Sequence, residues 1–202
     1  MAEDQSYPRV KKFFFLFIFI LSFSKANSEN FKFIKIANLN NPWGSSFLNN
    51  DEMIITEKSG LIKIVNIINN QVNDVEHNLN FLEDGQGGLL DILHQENKVW
   101  ISYTENRGNR KTSTSIALAN LDKKNLVFKN IFQANPPINS GYHFGSRLAI
   151  KDNYLYASAG ERGKGMIAQD ASKHPGSIIR IHLDGSIPND NPKFDGKPDW
   201  LP

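Results

Sequence analysis

Two side chains carry the chemistry that this sequence can offer. Gln86 lies in Gly85-Gln86-Gly87-Gly88 and His143 in Tyr142-His143-Phe144-Gly145. A glutamine amide is both donor and acceptor, and an imidazole is a base that titrates near neutral pH. Each stands two residues ahead of a glycine, and each glycine opens an apolar run. Such a pair can take a proton and bind a polar, flat ligand, with the neighbouring glycines allowing close approach to the backbone. A surface or structural histidine in a glycine-rich turn is the plain alternative for His143. His77, His94, His174 and His182 show no metal-ligand spacing, and without cysteine the chain has neither disulfide nor thiolate site.

A fold must bring these two residues together across 57 positions. Beyond residue 26 the chain reads as β-strands: short apolar runs, several alternating with period two, are separated by Gly, Asn and Asp turns. Examples are Leu61–Val65, Val99–Tyr103, Tyr154–Ala157 and Ile178–Ile181. One pattern recurs: a glycine, an apolar segment, a polar turn, then a strong strand. It opens at Gly44, Gly88 and Gly145, at spacings of 44 and 57 residues. Four-stranded repeats of about this length are the mark of a β-propeller. A β-sandwich with coincidental turn spacing is the competing reading. Aligned on the glycines, Pro42, Gln86 and His143 are equivalent. In a propeller, equivalent positions face one axis, so Gln86 and His143 are expected at one mouth on adjacent blades. Only three openings, with a fourth blade beginning near the end, are expected to leave an incomplete ring of three to four blades.

The chain has 202 residues, is 40% hydrophobic and 22% charged, and carries a net charge of +2. Its basic residues are scattered, which disfavours nucleic acid as a partner. Arg9, Lys11 and Lys12 precede an apolar run from Phe13 to Leu21, and Ser24-Lys25-Ala26 follows. That order predicts a signal peptide over 1–26, with the mature domain from 27 to 202 outside the cytoplasm. The run is shorter than the roughly twenty residues of a membrane span.

Four segments, in order, resemble motifs of the soluble glucose/sorbosone dehydrogenase family: Pro42-Trp43-Gly44, Gly85-Gln86-Gly87-Gly88-Leu89-Leu90-Asp91, His143-Phe144-Gly145-Ser146-Arg147-Leu148, and Asp184-Gly185-Ser186-Ile187-Pro188-Asn189-Asp190-Asn191-Pro192. The likeness is greatest to periplasmic aldose sugar dehydrogenases that use pyrroloquinoline quinone (PQQ). It implies a six-bladed propeller with the quinone at the channel mouth. It also implies His143 as the general base that takes the proton of the anomeric hydroxyl, Gln86 as a hydrogen-bond partner of the quinone, and a lactone as product. Some members carry an acid just before the base, where this chain has Tyr142. The family's Arg-Asn-Pro-Gln-Gly motif, its calcium ligands and its cationic quinone contacts lie beyond the stretch matched here. The expectation is therefore a truncated, inactive portion that needs a complementary C-terminal half. A non-catalytic extracytoplasmic binding propeller is the second reading, since shape does not fix function. Three minor readings complete the list. Gly160 to Gly165 is an inter-strand loop, Asp184 to Asn191 is a turn between blades, and Trp43 and Trp100 are packing residues.

Overall fold

The computed structural model describes residues 31–192. The expected signal peptide over 1–26, its cleavage point and the segment from 193 to 202 lie outside the described residues. Of the described residues, 35–192 belong to one compact unit.

Among the described residues the apolar runs become twelve strands, and the Asn, Asp and Gly turns become the hairpins between them. The strands are β1 (Pro42–Phe47), β2 (Glu52–Glu57), β3 (Leu61–Asn66), β4 (Val72–His77), β5 (Leu89–Gln95), β6 (Lys98–Asn106), β7 (Thr112–Asn120), β8 (Asn125–Leu126), β9 (Lys129–Gln133), β10 (Gly145–Lys151), β11 (Tyr154–Ala159) and β12 (Ile178–His182). One 3-10 turn, Gly165–Gln169, lies between β11 and β12. They form three antiparallel meanders: β1-β2-β3-β4, β5-β6-β7-β9 and β10-β11-β12. These are the blades of a β-propeller. The innermost strands β1, β5 and β10 are neighbours in that order.

Burial follows position in the stack. The middle blade is covered on both sides, so all of β6 from Val99 to Glu105 is buried. Its Val99, Ile101, Tyr103, Ala117 and Ala119 pack on Ile54, Ile62, Ile64 and Val75 of the first blade. Its Trp100 and Ile116 pack on Leu148, Leu155, Ala157, Ile179 and Ile181 of the third. The third blade alternates along β11, with Leu155, Ala157 and Ala159 inward.

Each innermost strand carries one extra residue against its partner, between Pro42 and Ser45, Leu89 and Ile92, and Gly145 and Leu148. These bulges reveal the true correspondence between blades. The ladder bonds Lys58 N–H to Asn41 O, Thr104 N–H to Gly88 O and Gly160 N–H to Phe144 O occupy the same place in the three blades. Gly88 thus corresponds to Phe144 and not to Gly145, and Gln86 corresponds to Tyr142. The alignment on glycines is out by one residue between the second and third copies. It is out further in the first, where Asn41 takes the equivalent place.

A hydroxyl on the second strand of each blade secures the bulge. Thr56 Oγ1 accepts from Gly44 N–H (2.9 Å), Ser102 Oγ from Asp91 N–H (3.0 Å) and Ser158 Oγ from Arg147 N–H (3.1 Å). The same hydroxyls reach to the next blade: Thr56 donates to Leu90 O (2.5 Å) and Ser102 to Ser146 O (2.6 Å). Asp91, buried on β5, adds a further clasp by accepting from Leu148 N–H (2.8 Å) and from Arg147 (2.9 Å). At the outer edge, β8 leaves the second blade's chain and pairs in parallel with β4, Glu76 opposite Asn125 and His77 opposite Leu126.

Candidate active site

The loops ahead of β5 and β10 meet at one rim. Gly85 has φ +57°, and a Cβ there would strike the Gly141 carbonyl. The two backbones therefore touch, and Gln86 N–H donates to Gly141 O at 2.7 Å. Lys58 of the first blade donates to Gly85 O at 2.7 Å. Its own carbonyl occupies the space that a side chain at Gly88 would need. At Gly87 a Cβ would meet Thr104 Oγ1 and the Phe144 ring. The glycines around Gln86 thus let protein segments approach one another, which corrects the expectation that they leave room for a ligand.

Gln86 and His143 are brought together directly. Gln86 Oε1 accepts the backbone N–H of His143 at 2.8 Å. This acceptor bond holds the amide, and no hydrogen bond joins its NH2 group to a described residue. His143 has φ +49°, an uncommon conformation for a residue with a side chain. It persists because its neighbours hold it: the His143 carbonyl lies where a Cβ on Gly160 would be and accepts from Arg162 N–H at 3.3 Å.

A third residue completes the arrangement. Nδ1 of His143 is hydrogen-bonded to Glu161 Oε1. An ionised carboxylate can only accept, so Nδ1 carries a proton, and the neutral form of the ring has its lone pair on Nε2. The bond from His143 holds the Glu161 carboxyl below its usual pKa, with a further backbone bond from Gly163 N–H (3.1 Å) in support. The His143 and Glu161 side chains are 53% and 27% exposed, so the free Nε2 is open to a ligand. Tyr142 stands beside them, exposed, with its ring edge-on to the imidazole at 6.2 Å between centroids.

Glu161 was not legible as a site residue, because Gly160 to Gly165 reads as a connecting loop. It is one, but it leaves the end of β11 that lies beside the start of β10, so antiparallel pairing returns the chain to the same rim. A carboxylate thus reaches His143 from this loop, eighteen positions away. Other residues take structural places. Trp100 is buried and donates Nε1–H to Leu183 O (2.9 Å), whereas Trp43, on β1 of the first blade, is 43% exposed and lies outside the core. Asp184 to Asn191 is a turn: Asp184 accepts from Ser186, and Asp190 pairs with Arg180 at 2.8 Å. Among the described residues no group of three or more His, Asp or Glu side chains is placed to hold a metal ion.

The arrangement places an imidazole, a carboxylate bonded to its Nδ1 and a neutral amide at one rim. The sequence profile described as glucose/sorbosone dehydrogenase matches residues 39–199. The chain is 31% identical over 164 residues to the aldose sugar dehydrogenase YliI of Escherichia coli, covering 76% of this chain and 44% of that protein. It is 27% identical over 218 residues to quinoprotein glucose dehydrogenase B of Acinetobacter calcoaceticus, covering 86% and 44%. The crystal structure of the soluble aldose sugar dehydrogenase of Escherichia coli in its apo-form superposes with a TM-score of 0.75 and 29% identity, over 81% of this chain and 50% of that one. The chain spans about half the length of the curated relatives that it matches.

Proposed function

Since the chain belongs to the glucose/sorbosone dehydrogenase family, we propose that it serves the oxidation of aldose sugars to lactones with PQQ as cofactor, with His143 as general base and Gln86 as a cofactor contact. The observation that carries this reading is the chain Gln86–His143–Glu161 at the rim. His143 Nε2 receives the proton of the sugar's anomeric hydroxyl. Glu161 keeps Nδ1 protonated before the transfer and stabilises the imidazolium that forms, the role an orienting acid plays beside any histidine base. The Gln86 amide, held by its acceptor bond, directs its N–H groups toward an oxygen of the ligand. PQQ, when bound, supplies the acceptor for the hydride that leaves C1. Loss of that hydride and of the hydroxyl proton turns the anomeric carbon into the carbonyl of a lactone, so electrons and protons balance.

The exposed Nε2 and the free amide NH2 fit the edge of a flat, oxygen-rich ligand. The quinone's carboxylates call for cations as well, and calcium belongs to this reading as a second cofactor, with ligands beyond the described residues. The order of charge, apolar run and small residues in segment 1–26 supports action in the periplasm. No helix among the described residues is long and apolar enough to cross a membrane.

The test is made on the chain supplied with a complementary C-terminal half, PQQ and calcium, following dye reduction with several aldoses. His143→Ala is expected to lower turnover about 10²–10⁴-fold, the usual worth of a general base, while quinone binding persists. Gln86→Ala is expected to weaken quinone binding instead. A His143→Ala protein that oxidises aldoses at the normal rate with quinone bound refutes the reading.

A further inference from the structure

Arg162 is a charged residue with 2% exposure that the proposed chemistry does not use. No carboxylate pairs with it within salt-bridge distance among the described residues. Burial lowers its pKa to about 10, and the charge of Asp84 opposes that shift, so the guanidinium is still protonated at neutral pH. Its donors go to one place. Nε–H donates to Tyr142 O (3.1 Å), and one terminal nitrogen donates to Ser140 O and to Thr112 Oγ1 (2.7 Å). The other donates to Thr112 O (3.2 Å), and the guanidinium carbon lies 3.7 Å from the centroid of the Phe144 ring. The backbone N–H of Arg162 holds the carbonyl of His143. Arg162 thus touches Ser140, Tyr142, His143 and Phe144, four of the five residues of the turn that carries the base.

Residues in sparsely populated backbone regions persist only where the surroundings over-determine them. His143, at φ +49°, is such a residue, and Arg162 itself has φ +59°. A planar, forked cation can bind several carbonyls at fixed angles, which a lysine ammonium cannot do. We propose that Arg162 is a positioning residue whose buried guanidinium locks the Ser140–Phe144 turn so that His143 meets Glu161 through Nδ1 and Gln86 through its backbone N–H. This inference rests on His143 being the base, but it concerns only this chain's own contacts.

The experiment therefore has two readouts. The first is the nitrogen NMR spectrum of the His143 ring in the protein without quinone, assigned by its loss in His143→Gln. The wild-type spectrum should show one tautomer, protonated at Nδ1. The second is kcat and KM for an aldose in the chain completed by a C-terminal half and loaded with PQQ. Arg162→Lys keeps the charge and loses the fork. It is expected to mix the two tautomers and lower kcat at least tenfold, with KM within about twofold. Thr112→Val removes one acceptor of the guanidinium and is expected to shift both readouts in the same direction by less, whereas Thr112→Ser should leave both unchanged. This milder pair keeps the test decisive if Arg162→Lys fails to fold. A His143 ring spectrum unchanged in Arg162→Lys or, should that variant not fold, in Thr112→Val overturns the proposal. A chain that shows the single tautomer but, with a complementary C-terminal half, PQQ and calcium supplied, oxidises no aldose overturns the proposed function and leaves the positioning intact.

Discussion

Replacing Ser102 by alanine tests whether the bulge hydroxyls hold the blades together. Ser102 is fully buried, and its Oγ accepts from Asp91 N–H at 3.0 Å and donates to Ser146 O at 2.6 Å. Alanine leaves a buried amide without its acceptor, which costs about 1–3 kcal/mol, and removes an inter-blade bond of net worth about 1 kcal/mol. The sum is about 2–4 kcal/mol. For a protein of this size each kcal/mol lowers Tm by about 2–4 °C, so Ser102→Ala should melt about 5–15 °C below wild type by circular dichroism. Ser102→Thr keeps the hydroxyl, as the equivalent Thr56 does in the first blade, and should retain more of the stability. Ser158→Ala loses one bond in a half-buried place, and about 1 kcal/mol is expected. A Ser102→Ala protein within 0.5 kcal/mol or so of wild type would refute the reasoning, because a buried amide cannot lose its acceptor at so little cost.

Two further outcomes follow from the site and the core. Glu161→Gln removes the charge that faces Nδ1 while keeping the shape; turnover with aldose should fall by about 10²-fold or more, as expected when a histidine base loses its orienting acid, with little change in quinone affinity. Wild-type turnover in that variant would show that the contact is incidental. Tyr103 is buried beside Glu105; desolvation first, then that neighbouring charge, push its phenol up to about 12, and it donates to Asn130 at 2.7 Å. A folded pKa raised above the unfolded value of about 10 gives stability that is whole below pH 10 and is lost as pH rises toward 12. The two-unit gap is worth on the order of 3 kcal/mol, and a Tyr103→Phe protein should show a flatter fall in Tm across that window. Equal slopes would exclude Tyr103 as the cause.

The alternation along β11 and the doubly buried run of β6 were legible because side-chain period and burial report the sheet directly. The repeat was legible too, but its register was not. The three glycines answer different local needs: a Cβ at Gly44 would strike Asp91 and Ile92, one at Gly88 would strike Lys58 O, and Gly145 has φ +71° next to Gly160. Residues that serve different contacts are not equivalent, so they misalign the second and third blades by one position and the first by three. The bulges, which are the equivalent features, leave no residue type in common. Gln86 and His143 still meet, because the one-residue slip moves each along a loop without moving it off the rim. Glu161 was hidden for another reason. Its role depends on which end of a strand a loop leaves, and composition does not encode that. A two-residue strand such as β8 has no period to detect.

The pairing of β8 with β4 orders events during synthesis. Beyond the short ladder, the Asn78 side chain bonds the backbone of Phe128 in both directions, at 3.1 and 2.8 Å, across fifty positions, and Glu76 N–H donates to Lys124 O. The outer edge of the first blade is therefore closed by residues made later. At about 5–20 residues per second, that edge waits several seconds on the ribosome before its cover emerges. During this interval it is a free β-edge, open to pairing with another nascent chain or to capture by a chaperone. A pause that falls after β4 has emerged and before Phe128 has emerged would lengthen the exposure, and a pause outside that interval would not. The yield of soluble protein then depends on where translation pauses as well as on which residues are encoded.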